Sequence, residues 1–93
     1  MDYVNAGGSP GYVITKVAFR FRLTDPEYTG ILQAAKTDVE VASWLETFNM
    51  VSQINLADLR TVAGLEMMVS KELLTDERIV EILTAPVQPG ERP

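Results

Sequence analysis

From Thr24 to Ala85 the apolar residues recur every three or four positions, in four runs that each begin at a polar capping residue. That period places one buried stripe along an α-helix. Thr24-Asp25-Pro26-Glu27 and Thr37-Asp38-Val39-Glu40 have the form of capping boxes, and Pro26 suits a first helical turn. Asn55-Leu56-Ala57-Asp58 is a weaker relative. Thr75-Asp76-Glu77 has the cap and the acidic first turn but carries Arg78 where the box wants Glu. Four helices are predicted, with faces made by Tyr28, Ile31, Leu32 and Ala35, then by Val41, Trp44, Leu45, Phe48 and Val51. In the third, Leu59, Val62, Ala63, Leu65, Met68 and Val69 cover more than one face, which predicts a central position; Ile79, Val80, Ile82 and Leu83 line the fourth before Pro86 ends it. Gly30 and Gly64 lie inside these patterns at a cost of about 1 kcal/mol each relative to Ala, and are read as close helix crossings.

Tyr12 to Leu23 fits two periods. Val17, Phe19, Phe21 and Leu23 alternate as a strand does, while Ile14, Val17, Ala18 and Phe21 suit a helix. A lone strand leaves backbone groups unpaired and no later segment looks like its partner, so a helix capped by Thr15 is the self-contained solution. A strand here would need its mate from another chain. Residues 1–11, with Gly7, Gly8, Ser9, Pro10 and Gly11, and residues 86–93, with three prolines and a glycine, are predicted to be extended arms. The fold class is therefore all-α: a small bundle of four to five short helices over residues 12–85, with an arm at each end that lies across neighbouring molecules.

Length and composition narrow the chemistry. Ninety-three residues hold one hydrophobic core, and 46% apolar with 23% charged residues is ordinary for a globular domain. The chain has no Cys and no His, which removes disulfides, thiolate metal sites and imidazole bases. Asp76, Glu77 and Glu81 cluster, but no D-x-D-x-D-G loop accompanies them, so they read as a solvated helix start and no metal is predicted. Gly7 to Gly11 lacks the Gly-Lys-Ser/Thr ending of a phosphate loop, and Ser70 beside Lys71 cannot face it on a helix. No catalytic residue and no cofactor is predicted. No apolar run approaches the roughly 20 residues that span a bilayer, and the first residues lack the pattern of a signal peptide, which leads to the expectation of synthesis in a cytoplasm and no membrane partner.

The net charge of −5 opposes attraction to phosphate backbones, so nucleic acid is not predicted as a direct partner. The charge is uneven: residues 1–23 hold Asp2 against Lys16, Arg20 and Arg22, whereas residues 24–86 hold eleven acids against four bases. Solvated acidic helix faces account for most of this, and docking of a basic segment on an acidic neighbour is the sharper alternative. Trp44 and Phe48, four residues apart, are assigned to the core before any contact surface. The candidates for partner contact are Phe19, Arg20 and Arg22, with Tyr3, Val4 and Tyr12 from the first arm.

Ile14-Thr15-Lys16, Phe19 to Thr24, Asn55 to Leu65 and Leu73 to Leu83 together resemble small uncharacterised helical proteins of tailed bacteriophages, often encoded near tail genes. The resemblance spans roughly Ile14 to Leu83 and is most specific in the last two helices. It implies a mostly helical fold, a phage origin and no assigned enzymatic activity. One departure is Glu72, where those proteins tend to have Gly before the Leu-Leu pair, which makes a left-handed helix end less comfortable here. The function expected from all this is that of a non-enzymatic structural protein. It would be a minor virion or tail component, made in the host cytoplasm, that binds other phage structural proteins in a multi-copy assembly. Two alternatives stand beside it. One is an acidic inhibitor of a host defence system presenting Asp25, Glu27, Asp38, Glu40 and Glu46 in place of phosphates; the other is a tail-assembly chaperone absent from the finished particle.

Overall fold

The computed structural model describes residues 12–93. Tyr3, Val4 and the rest of the first predicted arm lie outside the described residues. The order is β1 (Val13–Thr15), α1 (Lys16–Arg22), α2 (Asp25–Ala34), α3 (Val39–Met50), β2 (Gln53–Asn55), α4 (Leu59–Ser70), α5 (Asp76–Thr84) and a short 3-10 turn at Pro89–Glu91. The small helical bundle is as expected, with five helices and one two-stranded sheet among the described residues.

In Tyr12 to Leu23 the helix reading holds over Lys16–Arg22, and the strand lies at Val13–Thr15, ahead of the alternating residues Val17 to Leu23. Thr15 ends β1 and caps α1, its hydroxyl accepting the Ala18 N–H at 3.0 Å. β1 pairs antiparallel with β2, Ile14 opposite Ile54, so the mate comes from the same chain and not from another. The pairing continues at both ends, where Lys16 N–H donates to Ser52 O and Leu56 N–H to Tyr12 O. Strands of three residues are too short to show a period of two, and Gln53 and Asn55 gave no apolar signal.

Of the four later caps predicted, two hold as Thr15 does and two shift. Thr24 and Glu27 form the full capping box, and Thr75 Oγ1 accepts the Arg78 N–H at 3.2 Å. α3 is capped by Asp38 and not Thr37, since the Asp38 carboxylate reaches both Glu40 N–H and Val41 N–H. α4 is capped by Asp58, while Asn55 instead closes a local turn onto Ala57 N–H.

Every helix sends at least one side chain to a single core: Phe19 from α1, Ile31 from α2, Val41, Leu45 and Phe48 from α3, Leu65 and Met68 from α4, Ile79 and Ile82 from α5. Ile14, Leu23, Leu56 and Leu74 close it from the connections. α4 is less central than its sequence suggested, because Leu59 is exposed.

Residues 86–93, predicted as an extended arm, fold back on their own body. Val87 packs against the core and Glu91 is bound by Arg22 of α1. The proline-rich composition excludes a long helix but not a docked turn. We call this segment the strap.

Two backbone positions decide how the helices meet. A Cβ on Gly64 would stand 2.5 Å from Trp44 Nε1, so the predicted close crossing is real there, between α3 and α4. Gly30 has open space around it and marks no crossing. Between α4 and α5, Glu72 takes the left-handed conformation with φ 63°, Glu72 N–H donating to Val69 O and Leu73 N–H to Met68 O. This is a Schellman ending built on a non-glycine residue, whose left-handed backbone costs about 1–2 kcal/mol. Glu72→Gly is expected to raise stability by about 1 kcal/mol in urea unfolding. Gly64→Ala is expected to lower it by about 1–2 kcal/mol, despite the better helix propensity of Ala, because the indole must move.

Candidate functional site

The residues singled out for partner contact are mostly used inside the chain. Phe19 is 1% exposed and tilts against Phe48 with ring centroids 5.7 Å apart, so it belongs to the core. Arg20 lies over the Tyr28 ring at 4.0 Å and pairs with Asp25 at 3.1 Å. The Arg22 side chain is 8% exposed and grips Glu91 with two hydrogen bonds of 2.9 and 2.8 Å. Lys16 Nζ donates to Asn49 O at 3.3 Å. Arg20 and Arg22 are therefore engaged by carboxylates of this same chain. Tyr12 is exposed, and Phe21, which was not chosen, is 73% exposed beside Phe19. Tyr3 and Val4 lie outside the described residues.

Part of the acidic body is likewise paired. Arg78 on α5 binds both carboxylate oxygens of Glu27 on α2, at 2.7 and 2.9 Å, and reaches Glu81 at 2.7 Å. Lys71 at the end of α4 bridges Asp38 and Glu40 at the start of α3. The Arg78 guanidinium beside Glu27 holds that carboxyl below the usual glutamate range, and Arg22 does the same to Glu91. Lys71 lowers Asp38 in the same way, and its own ammonium is raised by Glu40 and Asp38.

What the fold builds instead is an open cleft of about 370 Å³ where the sheet meets α3 and the start of α4. Trp44 and Phe48 stack in parallel, 5.1 Å between centroids, along one side. Phe19, Val13, Val51 and Ile54 continue the apolar lining, and Gln53, Asn55, Asp58, Arg60 and Thr61 form a polar end. Four of those five are joined by hydrogen bonds: Asp58 accepts from the Arg60 backbone and guanidinium, and Thr61 Oγ1 donates to Asn55 O at 2.8 Å. Arg60 holds the Asp58 carboxyl low, so the cleft contains no carboxylate poised near neutral pH for proton transfer. The shape and lining suit contact with apolar surface. Sequence reasoning saw Trp44 and Phe48 as an aromatic pair but missed the cleft, because its other wall is the unrecognised sheet.

No protein-family model, no curated protein and no solved structure matches this chain. Among the described residues no group of three or more acidic, histidine or cysteine side chains is placed to hold a metal ion. No helix of the described chain is long and apolar enough to cross a membrane.

Two measurements follow from this geometry. Phe19→Ala is expected to cost about 3–5 kcal/mol in denaturant unfolding, and Phe21→Ala to stay within about 0.5 kcal/mol of wild type. Glu27→Gln keeps a capping side chain but removes the charge facing Arg78, and is expected to cost about 2 kcal/mol at neutral pH. Glu27 has its pKa depressed in the folded chain, so its contribution is present above the ordinary value of 4.5 and fades as pH falls through the folded one. The stability gap between Glu27→Gln and wild type is therefore expected to close in acid titrations below pH 4.5.

Proposed function

We propose that this chain is a non-enzymatic protein-contact module that serves as a minor virion or tail component of a bacteriophage. The observation that carries the contact reading is the cleft beside Trp44 and Phe48. It is apolar along its length and neutral at its polar end, where Asp58 and Arg60 cancel, so its occupant is an uncharged apolar segment of another structural protein. Large apolar side chains elsewhere on the surface, among them Phe21, Val39, Met50 and Leu59, extend the surface that partners could cover. The phage setting comes from the resemblance of Ile14 to Leu83 to small uncharacterised helical proteins of tailed bacteriophages, often encoded near tail genes.

Inhibition by phosphate mimicry has less behind it. Four of the five acids it would use, Asp25, Glu27, Asp38 and Glu40, are paired with cations of this chain, which weakens the local negative potential.

The test is denaturing electrophoresis of purified particles with peptide identification. The chain is expected in stoichiometric amount, and its absence would transfer weight to assembly chaperoning. A lysine in place of Val51, which lines the cleft and is partly exposed, is expected to leave helical circular dichroism unchanged while reducing incorporation at least tenfold. Undiminished incorporation of a folded Val51→Lys protein would remove the cleft from the contact.

A further inference from the structure

The strap is held by a latch whose two halves are built separately. On the body side, Arg22 Nη1 donates to Ile82 O at 2.7 Å and Ala85 O at 3.1 Å, so the guanidinium is aimed by the end of α5 whether or not Glu91 is present. On the strap side, Glu91 Oε1 accepts the Gln88 N–H at 2.9 Å within the turn Pro89–Glu91, so the turn presents its own carboxylate. The joint between the halves is extended: Ala85 has φ −58° and ψ 133°, the conformation favoured before a proline, and Gln88 has φ −87° and ψ 155°. Such a joint can direct the strap onto its own body or onto a neighbour's without refolding either half.

We infer that the strap is an exchangeable contact, in which Glu91 of one copy seats on Arg22 of a second copy and the reverse. This rests on the protein-contact reading above but uses a different surface from the cleft. Charge complementarity fixes the occupant, since the site is a nearly buried arginine framed by carbonyl groups and the fitting carboxylate is the one this same sequence presents on a preformed turn. The Glu91–Arg22 contact is the same in closed and exchanged forms, so they differ mainly in the entropy of association and at the joint, where Arg22 Nη2 also donates to Pro86 O at 3.5 Å. The crossover lies where copy concentration matches the effective concentration of a short linker, on the order of mM. Dilute chain is monomeric, and a crowded assembly favours the exchanged form.

The test is a charge-swapped pair. Arg22→Glu and Glu91→Arg each oppose like charges in every self-pairing, so each alone is expected to be monomeric by native mass spectrometry at all concentrations. Mixed at about mM total, where wild type dimerises, they are expected to form 1:1 heterodimers, because both latches regain opposite charges only across chains. Two persisting monomer populations, with wild type also monomeric, would overturn the inference. If Arg22→Glu does not fold, isotopically labelled and unlabelled wild type are mixed and compared with Glu91→Gln: dimer lost on this change supports exchange, and dimer unaffected by it overturns exchange. Wild type found in particles but monomeric at mM would sink only the exchange, whereas wild type absent from particles would sink the virion reading.

Discussion

Helix ends leave carbonyl groups without helical partners, and here two arginines satisfy some of them across the length of the chain. Arg22, the last residue of α1, donates to the carbonyls at the end of α5, and Arg78, in the first turn of α5, donates to the carbonyl of Arg22 at 3.0 Å. Each arginine gives its other donors to carboxylates, Glu91 for the first, Glu27 and Glu81 for the second. The corner between α1 and α2, the whole of α5 and the strap are thus tied into one reciprocal unit. The core sets the overall packing, but these bonds fix how α5 closes against it. Glu27 and Glu81 favour the charged form of Arg78.

How much of this could be read beforehand depended on whether the signal was local. Thr15, Thr24 and Thr75 cap helices because a hydroxyl reaches a backbone N–H three residues on, a contact contained within four residues of sequence. Thr37 lost its role to Asp38, whose carboxylate accepts two N–H groups where a hydroxyl would serve one. The pairing of β1 with β2 joins residues about 40 positions apart through three residues each, and nothing local announces it. Glu72 shows the opposite case, a local rule overridden: glycine is the comfortable residue there, yet the two carbonyls of the Schellman ending and the burial of Leu74 hold the left-handed turn.

The candidate contact residues failed for a related reason. Phe19 and Phe21 sit two apart on a seven-residue helix, so one must face the core and the other solvent. Their sequence surroundings are nearly the same, Lys and Arg interleaved with apolar residues, and the choice between them is made by Phe48 on α3. The cations of α1 looked available because their partners, Asp25 aside, lie far along the chain: Asn49, Ile82, Ala85 and Glu91. The two arginines of α1 are thus taken up by ion pairs within the chain.

Such pairing limits what any contact made by this protein can use. Arg20, Arg22, Arg60, Lys71 and Arg78 are each paired with a carboxylate of this chain, so these cations add little to association and apolar burial has to supply most of it. A cleft of about 370 Å³ admits one or two large apolar side chains. Each is worth about 1.5–3 kcal/mol when fully buried, while micromolar affinity requires about 8 kcal/mol. One cleft on one copy therefore falls short of a stable contact, before the entropy of association is counted. Several copies bound together do not, because each further contact forms at the effective concentration set by the first. A small body with paired charges and a shallow apolar cleft is physically suited to act as one of many, which is the circumstance in which an exchangeable strap would also begin to matter.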